Sequence, residues 1–289
     1  MELKRLGNSS VQLPEIGFGT WKYSGGIGPL RAAIEHEACL IDTAETYGTE
    51  SVVGEAIRGL RPRVFLATKV RPGNFRRRDL LKAAEQSLER LKTDYIDLYQ
   101  LHWPNETVPI EETIQAMAEL ADAGKIRFIG VSNFSTLALQ RAQAALSNHR
   151  IVSNQVRYSL IERTIEREML DYCQRNAITV LAFSPLGSGL PEIRAADPDG
   201  VLARVAAKIG RSEAQVALNW VTSKNGVIAL SKGSTIERVL ENCSASGWRL
   251  PPDALDLLNR KIHFRQRGTV ESGLRGLVRW GYQRVGKDL

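Results

Sequence analysis

Four side chains capable of acid–base chemistry follow three short apolar stretches of the chain. The stretch over residues 38–41 ends in Asp42, and Tyr47 lies on the loop that comes next. Two later stretches run into Lys69 and His102. Short apolar runs bounded by turn residues predict buried strands, so three of these side chains mark strand ends. A carboxylate beside a buried lysine keeps the lysine charged, and that charge lowers the pKa of a nearby phenol and eases proton donation.

The spacing of these strand ends predicts how they are arranged in space. Asp42, Lys69 and His102 follow one another at intervals close to one strand-plus-helix unit, which takes roughly 30 residues. Successive parallel strands therefore bring the three side chains to one edge of a sheet, the carboxyl-terminal edge at which (β/α) barrels carry their active sites. Each residue also has a commoner structural role, such as helix capping for Asp42. Their shared register at strand ends favours the chemical interpretation.

Helical stretches follow the strands and predict an outer layer around a parallel sheet. Apolar residues recur at helical spacing over residues 30–34, 51–60, 80–91 and 110–123. An open doubly wound sheet shares this alternation but usually carries a Gly-x-Gly-x-x-Gly turn, and no such turn follows a strand here. A single (β/α)8 barrel, the TIM barrel, is therefore predicted, and a chain of 289 residues suits it.

Two further segments carry clear turn signals. Residues 3–13, with Gly7 between two short apolar runs, predict a β-hairpin. Gly189, Pro191 and residues 197–200 predict a loop, after which a helix begins at Val201.

Composition and charge exclude several classes of protein. No apolar run reaches the length of a membrane span, and the amino terminus lacks the apolar core of a signal peptide. Three widely separated cysteines predict reduced, buried thiols in the cytoplasm. The net charge of +7 is concentrated after Lys69 and after Arg265. No nucleic-acid-binding motif accompanies it, so an anionic small molecule is the expected partner.

The segment 42–48, Asp-Thr-Ala-Glu-Thr-Tyr-Gly, resembles the Asp-Thr-Ala-x-x-Tyr-Gly signature of the aldo-keto reductase superfamily. Lys69 and His102 stand where the other two catalytic residues of that family lie, and the similarity extends from about Leu6 to Asn242. The resemblance implies a single (β/α)8 barrel domain over residues 1–289. The hairpin would plug the bottom of the barrel, and residues 263–289 would form a variable C-terminal substrate loop or tail.

The same resemblance implies an NAD(P)H-dependent oxidoreductase, an NADPH-dependent aldehyde or ketone reductase. Hydride would pass from NADPH to the carbonyl carbon, and Tyr47 would donate the proton. Lys69 and Asp42 would assist Tyr47, and His102 would orient the carbonyl. Trp21, Tyr47, His102 and Trp103 would contact the substrate, a small carbonyl compound. The protein is expected to be a cytoplasmic monomer that needs no metal, no membrane and no nucleic acid.

Cofactor residues are implied at the ends of several strands. Gly19 and Thr20 would approach the cofactor, together with Asp42. Ser132, Asn133 and Gln155 would bind the nicotinamide carboxamide. Phe183 would stack on the nicotinamide ring. The pyrophosphate channel would be lined by Ser184, Leu186 and Ser188.

The last strand leads into a segment similar to the family's site for the 2′-phosphate and adenine of NADPH. The residues implied there are Lys232, Gly233, Ser234, Arg238, Glu241 and Asn242. A helix amino terminus with added cations is an anion site, which favours NADPH/NADP⁺ over NADH. The structural alternative is a capping box of Ser234 and Glu237 beside solvated charges. Gly233 departs from the serine that the family commonly has.

Two other functions remain open at this point. A cofactor-binding redox-sensing or regulatory subunit with little turnover would keep the same residues. A metal-dependent barrel hydrolase would need several histidines converging with carboxylates at one edge, whereas His36, His149 and His263 do not fall at predicted strand ends.

Overall fold

Eight parallel strands close into a barrel in the computed structural model, which describes residues 1–266. The barrel strands are β3 (Ile16–Gly19), β4 (Leu40–Asp42), β5 (Phe65–Val70), β6 (Ile96–Leu101), β7 (Ile126–Ser132), β8 (Ile151–Arg157), β9 (Thr179–Phe183) and β10 (Val227–Ser231). They are preceded by a separate pair of strands, β1 (Leu3–Arg5) and β2 (Gln12–Pro14). Strand β10 pairs with both β3 and β9, which closes the circle. The predicted (β/α)8 TIM barrel is confirmed.

The amino-terminal hairpin covers one end of this barrel. Its strands β1 and β2 pair antiparallel. Leu6 and Leu13 are buried in one apolar cluster with inward-facing residues such as Phe65 and Val152. Gly7 packs so closely that a Cβ there would lie 2.9 Å from the Val152 carbonyl oxygen. The hairpin therefore plugs the barrel, as the resemblance implied.

Polar residues interrupt the apolar barrel strands near their carboxyl ends. Strands of a parallel sheet covered on both faces are nearly continuous apolar runs, and the first residues of β4, β5 and β10 follow that rule. The register places Lys69 beside Gln100, and Ser132 beside Gln155. The barrel thus gathers polar side chains from neighbouring strands at one mouth.

Helices surround the barrel on the outside. They are α1 (Ile27–Glu35), α2 (Glu50–Ile57), α3 (Arg77–Leu91), α4 (Ile110–Asp122), α5 (Thr136–Ala144), α6 (Met169–Arg175), α7 (Leu190–Ala195), α8 (Val201–Ile209), α9 (Glu213–Thr222), α10 (Ile236–Cys243) and α11 (Pro252–Lys261). The loop predicted after Gly189 is wrong for residues Leu190–Ala195, which form helix α7. Pro191 lies in the first turn of this helix, where its missing N–H removes no intrahelical hydrogen bond.

The chain beyond α11 returns to the carboxyl end of β8. The backbone of Arg265 exchanges hydrogen bonds of 2.9 Å with Arg163 and Ile161. The predicted substrate loop over residues 263–289 falls largely on residues 267–289, which lie outside the described part of the chain. Within residues 1–266, the helices are too short or too polar to cross a membrane.

The cysteines differ in burial. All three are free, but only Cys173 is buried, whereas Cys39 and Cys243 are partly exposed. The expectation that all three lie in the core is wrong for those two.

Candidate active site

A buried ion pair lies at the centre of the barrel mouth. Asp42 ends β4, and Lys69 lies one residue before the end of β5. The Nζ of Lys69 donates to Asp42 Oδ2 at 2.6 Å and to the Thr43 carbonyl oxygen at 2.8 Å. Burial by itself lowers the pKa of Lys69, but the Asp42 carboxylate and the Tyr47 phenol outweigh that effect and raise the pKa above its ordinary value. Lys69 is therefore a fixed positive charge.

The phenol of Tyr47 lies between Lys69 and His102. A 3₁₀ turn, Glu45–Tyr47, carries it out of the loop after β4. Its oxygen is 3.4 Å from Lys69 Nζ and 3.3 Å from His102 Nε2. Burial raises the pKa of Tyr47, and Lys69 lowers it by less. Lys69 thus lowers the pKa of Tyr47, as expected from the sequence, but the net shift of the pKa is upward because the phenol is buried. The phenol stays protonated at neutral pH.

Two glutamines hold the other oxygen of the central carboxylate. Gln155 Nε2 donates to Asp42 Oδ1 at 2.8 Å, and Gln100 Nε2 donates to the same atom at 3.1 Å. These amides orient the carboxylate toward Lys69. Gln100 was missed at the sequence level. Its signal is a glutamine near the carboxyl end of a buried strand, two residues before His102.

Aromatic rings are found among the residues that were expected to contact the substrate. His102 stacks on Trp103 with ring centroids 6.0 Å apart and an angle of 20° between the planes. Trp21, on the loop after β3, is 50% exposed, with Lys22 Nζ 4.6 Å from its ring centroid. That exposure rules out core packing as the role of Trp21.

The three residues expected to bind the carboxamide are joined by hydrogen bonds. Ser132 Oγ donates to the Gln155 carbonyl oxygen at 2.9 Å. Asn133 Nδ2 donates to Ser132 Oγ at 2.8 Å and to the His102 carbonyl oxygen at 3.2 Å. Asn133 adopts the left-handed region, with φ of 61°, which turns its side chain back toward His102. These residues thus form one network with Asp42.

Gly19 and Thr20, which were expected to approach the cofactor, lie beside the backbone of Asp42. Thr20 is buried, and its hydroxyl donates to the Asp42 carbonyl oxygen at 3.2 Å. Gly19 leaves open space, since a Cβ there would come no closer than 3.8 Å to any atom outside its chain neighbours.

The loop after β9 turns sharply at the next set of predicted residues. Phe183 ends the strand, and Ser184 adopts a left-handed φ of 50°. Leu186 packs on the core. The Ser188 N–H donates to Glu192 Oε2 at 2.6 Å. A carboxylate of this chain therefore contacts the loop that was predicted to line the pyrophosphate channel.

The segment after β10 places its cations in solvent. Lys232 and Arg238 are exposed, and Arg238 Nη1 lies 2.8 Å from Glu241 Oε2. Asn242 Nδ2 donates to the Lys232 carbonyl oxygen at 3.3 Å. Thr235, not Ser234, caps helix α10, because its hydroxyl accepts the Arg238 N–H. The alternative capping box of Ser234 and Glu237 is therefore wrong.

The sequence also matches the Aldo/keto reductase family over residues 15–263. The chain belongs to the aldo/keto reductase family. It is 40% identical over 264 residues to the methylglyoxal reductase YeaE of Escherichia coli (strain K12), with 88% of this chain and 92% of YeaE covered. A glyoxal reductase of Bacillus subtilis (strain 168) is 34% identical over 262 residues, which span 88% of this chain and 91% of that one.

Solved aldo/keto reductase structures have the same fold. The structure of an aldo/keto reductase from Klebsiella pneumoniae in complex with NADP and acetate matches with a TM-score of 0.84 and 38% identity, over 92% of this chain and 97% of that chain.

Packing explains one departure of this aldo/keto reductase from the family pattern. Gly233 stands where serine is common, and a Cβ at Gly233 would lie 2.9 Å from Val239 Cγ2 and 3.0 Å from the Val239 backbone nitrogen. A side chain at position 233 would therefore require Val239 and the start of α10 to shift. Gly233 therefore offers only backbone atoms to a ligand.

The geometry defines what this reductase-family site can do chemically. A protonated phenol lies within hydrogen-bond distance of both a fixed ammonium and an imidazole. Such a group can donate a proton to a developing oxyanion and stabilise it. Within residues 1–266, no cluster of histidine, cysteine and carboxylate side chains could hold a metal ion.

Proposed function

We propose that the protein reduces the carbonyl group of small aldehydes or ketones with NADPH. The observation that carries the proposal is the convergence of Tyr47, Lys69, Asp42 and His102 at one mouth of the barrel. Family membership and the similarity to methylglyoxal and glyoxal reductases support it. A reductase oxidises NADPH repeatedly when an aldehyde is present, whereas a cofactor-binding regulatory subunit would show little turnover.

Tyr47 is the proton donor in this proposal. Its phenol gives a proton to the carbonyl oxygen as negative charge develops there. Lys69, kept charged by Asp42, stabilises the phenolate that remains, and His102 orients the carbonyl oxygen with a hydrogen bond. These groups are in place before the reaction and partly shielded from water, which makes their electrostatic contribution larger.

The chain's residues fit a nicotinamide cofactor. Bound NADPH supplies the hydride. Ser132, Asn133 and Gln155 form one polar network beside Asp42, which suits a carboxamide, and Phe183 ends the adjacent strand. The exposed cations Lys232 and Arg238, at the amino end of helix α10, suit the 2′-phosphate. The Klebsiella pneumoniae structure in complex with NADP supports the same cofactor class.

Small α-oxoaldehydes are the proposed substrates. The support is the similarity to methylglyoxal and glyoxal reductases. Trp21 and Trp103 provide aromatic surface at the mouth, and we propose that they contact the substrate. We also propose that the protein acts as a cytoplasmic monomer, which light scattering coupled to size-exclusion chromatography tests.

Replacing Tyr47 with phenylalanine tests the catalytic assignment. Tyr47→Phe removes the proton donor and keeps the ring, so kcat with methylglyoxal should fall by about two orders of magnitude or more. NADPH affinity, measured by fluorescence titration, should stay nearly unchanged. Near-wild-type turnover of Tyr47→Phe would refute the assignment. Absence of NADPH oxidation by the wild-type protein with a panel of aldehydes would refute the reductase function.

Replacing Arg238 tests the cofactor preference. Arg238→Ala should weaken NADPH binding more than NADH binding, because only NADPH carries the 2′-phosphate. The matched control is Arg260→Ala, which removes an exposed arginine with the same kind of carboxylate contact on α11. Equal losses for the two cofactors in fluorescence titration would remove Arg238 from the phosphate site.

A further inference from the structure

The chain leaves barrel strand β4 at Asp42, before it reaches Tyr47. At its start the segment that follows is well held: the Thr43 N–H donates to the Ala67 carbonyl oxygen at 2.9 Å, and Lys69 contacts the Thr43 carbonyl oxygen. Beyond that point the chain forms a short 3₁₀ turn, whose backbone hydrogen bond from Tyr47 to Ala44 is internal. An internal bond shapes the turn but does not fix where the turn lies relative to its neighbours.

Glu45 connects this turn to the loop that follows Lys69. Its Oε1 accepts the Arg71 backbone N–H at 2.5 Å, and Asn74 Nδ2 lies 3.2 Å from both carboxylate oxygens. Burial raises the pKa of the Glu45 carboxyl, and the Arg71 N–H opposes that rise. The carboxylate therefore sits in a partly dry position, where hydrogen bonds to the neighbouring loop replace those to water.

The loop after β5 is tied in turn to the loop that carries His102. Asn105 Nδ2 donates to the Pro72 carbonyl oxygen at 2.9 Å, and Asn105 lies three residues after His102. Glu45 and Asn105 thus contact the same 3₁₀ turn, Pro72–Asn74, at its last and its first residue respectively. The loops after β4, β5 and β6, which follow the strands contributing the proposed catalytic side chains, are joined laterally.

We propose that Glu45 is a positioning residue that holds the Tyr47 phenol at the distance from Lys69 and His102 that proton donation requires. This inference rests on the proposed reductase function and adds to it a residue that touches neither substrate nor cofactor. The two contacts of the phenol, 3.4 and 3.3 Å long, are near the limit of a hydrogen bond. A shift of the phenol by a few tenths of an ångström away from either partner would break its contact with that partner.

Removing the Glu45 carboxylate should lower the rate of chemistry without weakening cofactor binding. Glu45→Ala should reduce kcat per folded molecule by about ten- to a hundredfold, the range expected when a catalytic group is misplaced by up to about 1 Å. Its NADPH dissociation constant should remain within about twofold of wild type, since the turn is not among the proposed cofactor ligands. Glu45→Gln keeps an oxygen for the Arg71 N–H and should restore most of the rate, which keeps the test valid if the alanine variant folds poorly.

The matched control is Asp97→Ala. Asp97 likewise accepts a backbone N–H and a side-chain donor from neighbouring segments, from Leu66 at 2.9 Å and from Arg61 at 2.8 Å. It is the second residue of β6, at the amino end of the strand, whereas His102 follows the carboxyl end of the same strand. Its loss should lower thermal stability as Glu45→Ala does but leave kcat per folded molecule unchanged, and this separates positioning from general stabilisation.

A double variant shows whether Glu45 acts through Tyr47. When Tyr47 is already phenylalanine there is no phenol to position, so adding Glu45→Ala should reduce kcat no further. Full kcat in Glu45→Ala, or additive losses in the double variant, would overturn the positioning role while leaving the reductase function intact. Absence of carbonyl reduction by the wild-type protein would overturn both.

Discussion

The buried pair of Lys69 and Asp42 has separable effects on folding and on activity. Lys69→Met keeps an unbranched side chain of similar length and removes the charge. The ammonium then no longer contacts Asp42 at 2.6 Å, Thr43 at 2.8 Å or Tyr47 at 3.4 Å. Asp42 is left as a buried carboxylate that retains only its amide donors, Gln100 and Gln155.

The expected magnitudes follow from that environment. Removing one partner of a buried ion pair destabilises a protein by about 3–5 kcal/mol, a large share of the roughly 5–15 kcal/mol that keeps a domain folded. Turnover should fall by about two to four orders of magnitude, because the phenolate of Tyr47 loses the cation that stabilises it. Both effects should appear in the single variant.

The second substitution separates the two effects. Asp42→Asn, added to Lys69→Met, removes the uncompensated charge while its Oδ1 can still accept from Gln100 and Gln155. We expect the double variant to recover about 2 kcal/mol or more of unfolding free energy. Turnover should not recover, since the ammonium is still absent.

Urea unfolding followed by tryptophan fluorescence measures the stability part, and initial rates of NADPH oxidation with methylglyoxal measure the activity part. Turnover of Lys69→Met within about tenfold of wild type would refute the role of the ammonium in catalysis. A double variant as unstable as Lys69→Met would refute the interpretation of the pair as mutually compensating buried charges.

The remaining predictions concern thiols and packing. Burial raises the pKa of Cys173 to about 12 and that of Cys243 to about 11. At pH 8 the thiolate is then about a thousandth or less of each cysteine, so both should react far more slowly with Ellman's reagent in native protein than in urea. Rapid reaction in the native protein would contradict this. Gly54→Ala should destabilise by about 1–3 kcal/mol in urea, because its Cβ would lie 2.7 Å from the Leu91 carbonyl oxygen. The control is Gly73→Ala on an exposed turn, where a Cβ would come no closer than 4.0 Å to any atom outside its chain neighbours. It should change the free energy of unfolding by no more than about 0.5 kcal/mol, so equal losses in the two variants would refute the steric explanation.

Much of the fold was predictable because it is encoded in local patterns. Each apolar run that was interpreted as a barrel strand is a strand, within one or two residues at its ends. Helical periodicity and turn residues report backbone preferences that depend on a few neighbouring positions. Helix α7 was missed because proline and glycine signals mark a loop and a helix start alike.

The sequence by itself determined which residue types stand at the strand ends, and hence that Asp42, Lys69 and His102 would meet at one mouth. Tertiary structure decided what surrounds them. Gln155 reaches Asp42 from the opposite part of the barrel, and that contact exists only because the strands close into a circle. The raised pKa of Tyr47 and the crowding at Gly233 likewise depend on burial and on distances between remote segments. Those quantities are set by packing in three dimensions, which no local pattern of residues specifies.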